Sequence, residues 1–416
     1  MVVVRMNAVG RFSRLFGGDA ASREFGKRYL QFSGMEFLFW FAQCAGTYQT
    51  VFLQTMGYNA TKVGVVTAVC SSIGIFSTLF WGMFSDRIRS IRKVFILCMA
   101  VGSFLWLFVP LTAKVMLGPL SLSLLFITVS TFFRAPTGPL IDNWAVSVAN
   151  TEGMNYGLIR SAGSVSFAVM GISLGFILRK TGVNLSFYLY ALLTVPLVLL
   201  CFFVKGDTQR MRPIPMRELH VERLLKNYRF ITFLIFIILM NMPSTTMFSF
   251  LSFLVRGVHG DINMVGIIQG YKALLEVPML ILARPLARRN VPYPALLICT
   301  ACLFSLEAFL YAHAVNFTQL VMISTLHGLG GGLFIASASN YIFQLAPDGL
   351  KATAQTIFGA VNTVGAIIGS LIGGALMDAI GVQNFILYLS FVMLFAAVFY
   401  AATLLFGRRR SPGLAA

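Results

Sequence analysis

Acidic residues are scarce: 14 Asp and Glu stand against 32 Lys and Arg in 416 residues, and only 11% of the chain is charged. A soluble domain carries about 25% charge, so a water-facing globule is excluded. Cysteine is sparse as well. Cys44, Cys70, Cys98, Cys201, Cys299 and Cys302 all fall in apolar stretches without metal-ligand spacing or a loop partner, which argues against a disulfide framework and a zinc site. There is no phosphate-cradling glycine loop, no nucleophile elbow and no metal cluster. No enzyme activity, catalytic residue, metal or cofactor is therefore expected. The first 28 residues have no short apolar core followed by a small-residue cleavage site, so no removable signal peptide is expected either.

What the chain has is apolar length. Hydrophobic residues make up 57% of it, and 39 are Phe. A helix crosses a hydrocarbon core of about 30 Å with about 20 mainly apolar residues, because every backbone amide must be satisfied within the segment. Runs of that length lie near 29–54, 62–84, 92–112, 118–147, 155–178, 185–204, 229–255, 263–284, 294–313, 317–344, 352–379 and 384–406. A membrane β-barrel would need short segments alternating apolar and polar, and "ITFLIFIILM" does not alternate. The expected fold class is an all-α membrane protein of twelve transmembrane helices.

The basic residues sort by loop. They fill the first 28 residues (Arg5, Arg11, Arg14, Arg23, Lys27, Arg28), 87–93, 205–229, 284–289 and Arg408–Arg410, whereas the alternate loops hold only Lys62, Lys114, Arg179, Lys180 and Arg256. Basic loops face the cytoplasm, so both termini are expected there, in a bacterial inner or plasma membrane. The net charge of +18 is then a matter of loop placement rather than of a basic soluble domain, and no nucleic-acid binding is expected.

The longest polar interval, at 204–229, divides the segments six and six. The expected organisation is an N-terminal six-helix bundle at 1–204, a cytoplasmic linker at 205–228 and a C-terminal six-helix bundle at 229–416. A shift of about 199 residues sets "AGSVSFAVMGISLGFILRKTGVN" beside "AVNTVGAIIGSLIGGALMDAIGVQ", the trace that two pseudo-symmetric halves would leave. Gly171 and Gly175, and Gly365, Gly369 and Gly373, recur every four residues and are expected at close helix contacts.

Between the second and third segments runs "GMFSDRIRSIRK". Gly82, Asp86, Arg87, Arg92 and Lys93 resemble the signature loop of the major facilitator superfamily, which implies that they hold the cytoplasmic side of the halves together. The glycine expected soon after the Asp-Arg pair is absent, since Ile88, Arg89 and Ser90 follow.

Charge inside a span costs on the order of 2.5–3.5 kcal/mol at the bilayer centre and normally faces a partner or a water-filled cavity. Asp142 and Arg160 lie in such runs, on consecutive segments joined by a short turn. Together with Phe167 they resemble the lactose-permease-like group, nucleoside symporters included. There an acid, an Arg eighteen positions on and an aromatic seven further bind the sugar. The resemblance implies that Asp142 and Arg160 hold solute hydroxyls and Phe167 stacks on a ring. A purely structural salt bridge would use the same two charges.

In the C-terminal half, "STLHGLGGGLF" is similar to a Thr-Leu-His stretch of that group and places His327 in the matching position, where a core histidine bonded to a neighbouring helix is the other reading. Other charges of the group do not match: Glu307 stands for an Arg, Gly330 for a Glu and Asn362 for a Lys. "GYKALLEVPML" puts Lys272 and Glu276 four apart on one helical face, within reach of an ion pair. Related carriers have a similar Glu before a Pro, which implies a functional Glu276. The expected proton-handling set is Glu276, Glu307 and His327, with Lys272 tuning Glu276. Tyr48, Gln49 and Asn340 are candidates for solute hydrogen bonds or stacking, while Glu36 and Arg134 are intramembrane charges without an assigned role.

The expected function is proton-coupled uptake of a small polar solute, a sugar or nucleoside, by alternating access, with the proton as coupling ion and the protein acting as a monomer. A carrier of organic acids, an exporter, or a transport-dead receptor of the same fold would use the same architecture.

Overall fold

The computed structural model describes residues 20–118, 120–204, 224, 226–288, 291–346 and 350–410. The first 19 residues, most of the expected 205–228 linker and Arg289 lie outside the described residues. The described chain is helical almost throughout. Its helices are α1 (Ala20–Gly46), α2 (Gln49–Thr55), α3 (Ala60–Ile88), α4 (Ile91–Leu111), α5 (Leu122–Arg134), α6 (Thr137–Glu152), α7 (Tyr156–Thr181) and α8 (Asn184–Phe203), then α9 (Tyr228–Ser249), α10 (Leu251–Gly257), α11 (Val265–Arg288), α12 (Tyr293–Ala312), α13 (Phe317–Ile323), α14 (Thr325–Leu345), α15 (Lys351–Ile380) and α16 (Val382–Arg410). One two-residue antiparallel ladder, Met116–Leu117 with Leu120–Ser121, links α4 to α5.

Sixteen helices form twelve passes because four are each made of two pieces: α1/α2, α5/α6, α9/α10 and α13/α14. These are the first, fourth, seventh and tenth passes, one in every three. The α5/α6 interruption follows from Pro136, which has no N–H to donate. The others turn at Tyr48, Phe250 and Ser324, whose dihedrals lie at the edge of the helical region. Among the described residues, ten passes are long and apolar enough to cross a membrane. The other two, built on α1 and α11, carry Glu36 and the Lys272 and Glu276 pair respectively.

Contacts divide the chain into two units. The first comprises Met1–Gly46, Phe76–Val169 and Ser186–Met211; the second comprises Thr47–Ile75, Met170–Leu185 and Arg212–Ala416. In the first unit Phe32, Met35 and Phe39 of α1 pack with Phe95, Cys98 and Met99 of α4 and with Ile141 and Trp144 of α6. Phe32 meets Trp144 edge to face at 5.6 Å. Its Arg28 and Glu152 form an ion pair.

In the second unit, glycines set the helix spacing. A Cβ on Gly64 of α3 would lie 2.2 Å from the Ser370 carbonyl oxygen of α15, and one on Gly374 would lie 2.4 Å from the Ala60 carbonyl oxygen. Gly171 of α7 lies similarly against Gly266 and Gly270 of α11, and Gly369 against Met242 and Thr246 of α9. Without a hydrophobic drive between helices in lipid, such contact area is what holds them together. At the α3–α15 contact, the Asp378 carboxylate accepts from the Ala60 and Thr61 backbone N–H groups at 3.1 and 2.7 Å and from the Thr61 hydroxyl at 2.6 Å. It thus caps the positive end of a 29-residue helix.

Candidate functional site

Among the described residues, each unit holds one cluster of charge within its apolar helices. In the first unit, α6 contributes Asp142, α7 contributes Tyr156, Arg160 and Phe167, and α1 contributes Glu36 and Trp40. The Tyr156 hydroxyl donates to Asp142 Oδ1 at 2.9 Å, and Arg160 Nε lies 3.7 Å from the same oxygen. Trp40 lies under the Arg160 guanidinium, 4.1 Å from ring centre to Cζ, and donates its indole N–H to Glu36 Oε2 at 3.0 Å. The Phe167 ring meets the Trp40 ring edge-on at 6.3 Å. Gly163 makes the arrangement possible, since a Cβ there would lie 2.4 Å from Trp40 Cδ1.

The cluster is half sealed. Glu36 is fully buried, while the Asp142 and Arg160 side chains remain 37% and 30% exposed. Arg160 Nη1 is nevertheless buried without an acceptor. A guanidinium has five donors, and those on Arg160 Nη1 meet no acceptor. The expected trio of Asp142, Arg160 and Phe167 therefore lies in one place. Trp40, Tyr156 and Gly163 join it without having been singled out from sequence, although Trp40 stands four residues after Glu36 and Tyr156 four before Arg160, the spacing of same-face helix neighbours.

In the second unit, Glu307 of α12 is the hub. Lys272 Nζ of α11 lies 2.9 Å from Glu307 Oε1, and His327 Nδ1 of α14 lies 2.8 Å from Glu307 Oε2. The Glu307 and Lys272 side chains are only 1% and 7% exposed. Lys272 also stands 5.4 Å over the Tyr311 ring, and His327 stacks on Phe304 at 4.5 Å. Glu276 is partly exposed, one helical turn along α11 from Lys272, and faces Gly331: a Cβ there would come within 3.0 Å of Glu276 Oε1. Asn362 accepts a hydrogen bond from Asn241.

The remaining candidates are used differently. The Tyr48 hydroxyl, on a side chain 2% exposed, accepts from the Gly266 N–H at 3.0 Å and donates to the Asn263 carbonyl at 3.3 Å, so it caps the start of α11. Gln49 reaches Cys70, and Asn340 donates to the Ala336 carbonyl one turn back along its own helix. Around the signature loop, Gly82 accepts from Ser85, Asp86 and Arg87 are exposed, Ser90 caps α4 at the Lys93 N–H and Arg92 donates to the Val204 carbonyl. Arg134 lies between Trp106 and Tyr190, at 3.7 and 4.4 Å from the ring centres, and donates to the Gly46 carbonyl at the end of α1.

The chain is similar to known membrane transporters. A family model, described as the MFS_1 like family, matches residues 29–403. An uncharacterized transporter, YwbF of Bacillus subtilis, is 23% identical over 348 residues, covering 82% of this chain and 84% of the relative. A maltose permease of Geobacillus stearothermophilus is 26% identical over 245 residues, covering 58% of this chain and 61% of the permease. Among solved structures, the nucleoside transporter NupG is similar with a TM-score of 0.75 at 18% identity, covering 91% of this chain and 99% of that one. A bacterial homolog of the lysosomal transporter Spinster has a TM-score of 0.68 at 14% identity, with 93% and 97% covered. At such identities the likeness to the solved structures is one of fold.

Proposed function

The chain belongs to the MFS_1 like family, a multi-pass membrane transporter rather than an enzyme, and from that premise we propose that it is a proton-coupled symporter for a small polar solute such as a sugar or nucleoside. The observation that carries this reading is the state of Arg160. Its Nε lies 3.7 Å from Asp142 Oδ1, its guanidinium is stacked on Trp40, and its Nη1 is buried without an acceptor. Those unspent donors, beside an aromatic wall of Trp40 and Phe167, suit the hydroxyl and ring oxygens of a sugar or nucleoside. The names of two similar proteins, a maltose permease and a nucleoside transporter, fit the same solute class. In this proposal Asp142 and Arg160 bind the solute, and Glu276, Glu307 and His327 carry the proton. The protein acts as a monomer in the inner or plasma membrane with both termini in the cytoplasm, and its two sequence halves alternate access.

A second reading, transport of an organic acid, is favoured by Arg134. Its Nε is buried with no hydrogen-bond partner, and its guanidinium is flanked by aromatic rings rather than by a carboxylate.

The test is external pH in a weakly buffered suspension of expressing cells on adding sugars, nucleosides or aromatic acids, with Glu276→Gln alongside. Alkalinisation by a sugar or nucleoside that vanishes in the variant is the expected result. A response confined to aromatic acids would replace the first reading with the second, and no response to any solute that the protein demonstrably binds would end proton coupling.

A further inference from the structure

Arg134 is the last residue of α5, two positions before the break at Pro136. Among the described residues no carboxylate lies within 4 Å of it. Glu36 and Asp142, the acids inside the helices of the same unit, are engaged elsewhere, with Trp40, Tyr156 and Arg160. The surroundings of Arg134 answer its charge only in part. Its guanidinium lies 3.7 Å from the Trp106 ring centre and 4.4 Å from that of Tyr190, and Nη2 makes a long hydrogen bond of 3.4 Å to the Gly46 carbonyl. Ring faces attract a cation less strongly than an apolar interior penalises it.

Three donors in this place have nothing to donate to. Arg134 Nε, Trp106 Nε1 and Tyr190 Oη are each buried without a hydrogen-bond partner. They belong to α5, α4 and α8, and the glycines around them show how closely they are gathered. A Cβ on Gly46, at the end of α1, would collide with Arg134 Nη2 and lie 3.2 Å from the Tyr190 ring, and one on Gly102 would lie 2.8 Å from Arg134 Cγ. The Trp106 and Tyr190 ring centres are 6.3 Å apart. A buried donor left unmade is costly, and here three coincide with an uncompensated positive charge. Guanidinium and indole N–H groups only donate. Water has two hydrogens of its own to place, whereas an anion only accepts and also brings the missing charge.

We propose that Arg134, Trp106 and Tyr190 form a binding site for a small monovalent anion of the size of chloride, which neutralises Arg134 beside the α5/α6 break. Size follows from enclosure. Trp106 and Tyr190 are fully buried, Phe187 packs on Trp106 at 5.0 Å, and backbone at Gly46 and Gly102 abuts the arginine side chain, so the carbon body of an organic acid has no room beside the donors. Arg134 itself is only partly buried, which gives a small ion its way in. The site is separate from Asp142 and Arg160. It holds the anion as a resident ligand rather than as cargo, and so takes from an organic acid the cation that the second reading gives it.

The test needs no transported solute. Chloride is replaced stepwise by gluconate, a bulky anion, at fixed ionic strength, and the melting temperature of the purified protein is followed. A saturable rise of a few degrees with chloride is expected, reproduced by bromide and absent in Arg134→Gln. Trp106→Phe and Tyr190→Phe each keep an aromatic ring but delete one donor. Both should still respond, with half-saturation moved roughly tenfold or more to higher chloride. Crystals grown with bromide should show an anomalous peak beside Arg134 Nε. No chloride response in the wild type, an unchanged response in Arg134→Gln, or no such peak at saturating bromide would overturn the proposal. If Arg134→Gln does not fold, the Phe variants decide, and unchanged half-saturation in both overturns it. Stabilisation by benzoate that depends on Arg134, without any response to chloride, would overturn it too and assign the donors to an organic acid.

Discussion

Lys272 reaches from α11 to Glu307 on α12, at 2.9 Å, although Glu276 stands four residues along its own helix. The choice follows from burial. An ammonium 7% exposed gains most from a partner equally removed from solvent, and Glu307 at 1% is that partner, while Glu276 remains partly exposed. Lys272, Glu307 and His327 thereby tie α11, α12 and α14 together, while Glu276, one turn along α11 from Lys272, lies against Gly331.

Removing one member of that network strands the other. Glu307→Ala and Lys272→Ala are each expected to destabilise the protein by about 3–5 kcal/mol, the cost of an unpaired buried charge. Lys272→Met combined with Glu307→Leu should regain most of the loss, since a neutral pair of similar volume has no charge to strand. Thermal unfolding of the four proteins in detergent decides it: additive losses in the double variant would mean the charges are not each other's partner.

The α3–α15 contact predicts a contrast between glycines. Gly64→Ala places a methyl 2.2 Å from the Ser370 carbonyl oxygen, so the backbones must separate, at an overpacking cost of about 1–3 kcal/mol or more. Gly359→Ala, on α15 with nothing within 4 Å of the added carbon, should be neutral or slightly stabilising. Equal melting temperatures for the two variants would contradict the close approach.

Ten passes were legible because run length and apolarity mark them, and Asp142 and Arg160 could be expected to meet because they stand on consecutive helices joined by a short turn. Two kinds of information were not. Helix interruptions at Phe250 and Ser324 carry no proline or glycine at the turn, so nothing local announces them, whereas Gly46 ends α1 just before Tyr48 and Pro136 stands between α5 and α6. Partner choice between helices was also hidden. The helical spacing of Lys272 and Glu276 suggests one pair, but the Lys272 side chain also reaches Glu307 on α12, and Tyr48 caps a helix more than 200 residues away in the chain, which the sequence around it does not encode.

Asp378 offers a test of helix capping inside a membrane protein. Its carboxylate takes two backbone N–H groups and a hydroxyl at the start of α3, so Asp378→Ala should cost about 0.5–2 kcal/mol and free the Ala60 and Thr61 amides. Faster hydrogen exchange at those amides with unchanged exchange in the middle of α3 is the expected pattern. Unaltered exchange at Ala60 and Thr61 would mean that water satisfies them as well as Asp378 does.

The signature loop carries its own strain. Arg89, three residues after Asp86, adopts φ 56, the left-handed region in which a side chain is disfavoured, in the stretch after the Asp-Arg pair where the resemblance leads one to expect a glycine. The turn is held there by the Arg89 N–H bonded to the Asp86 carbonyl at 3.3 Å and the Ser90 N–H bonded to the Ser85 carbonyl at 3.1 Å. Glycine meets that backbone without a Cβ penalty of about 1–2 kcal/mol, offset in part by the greater freedom it gives the unfolded chain. Arg89→Gly is therefore expected to raise the melting temperature even though it deletes a basic residue from the loop. Arg89→Ala removes the same charge but keeps the Cβ, and should not. If both variants shift stability alike, the effect belongs to the charge and not to the backbone.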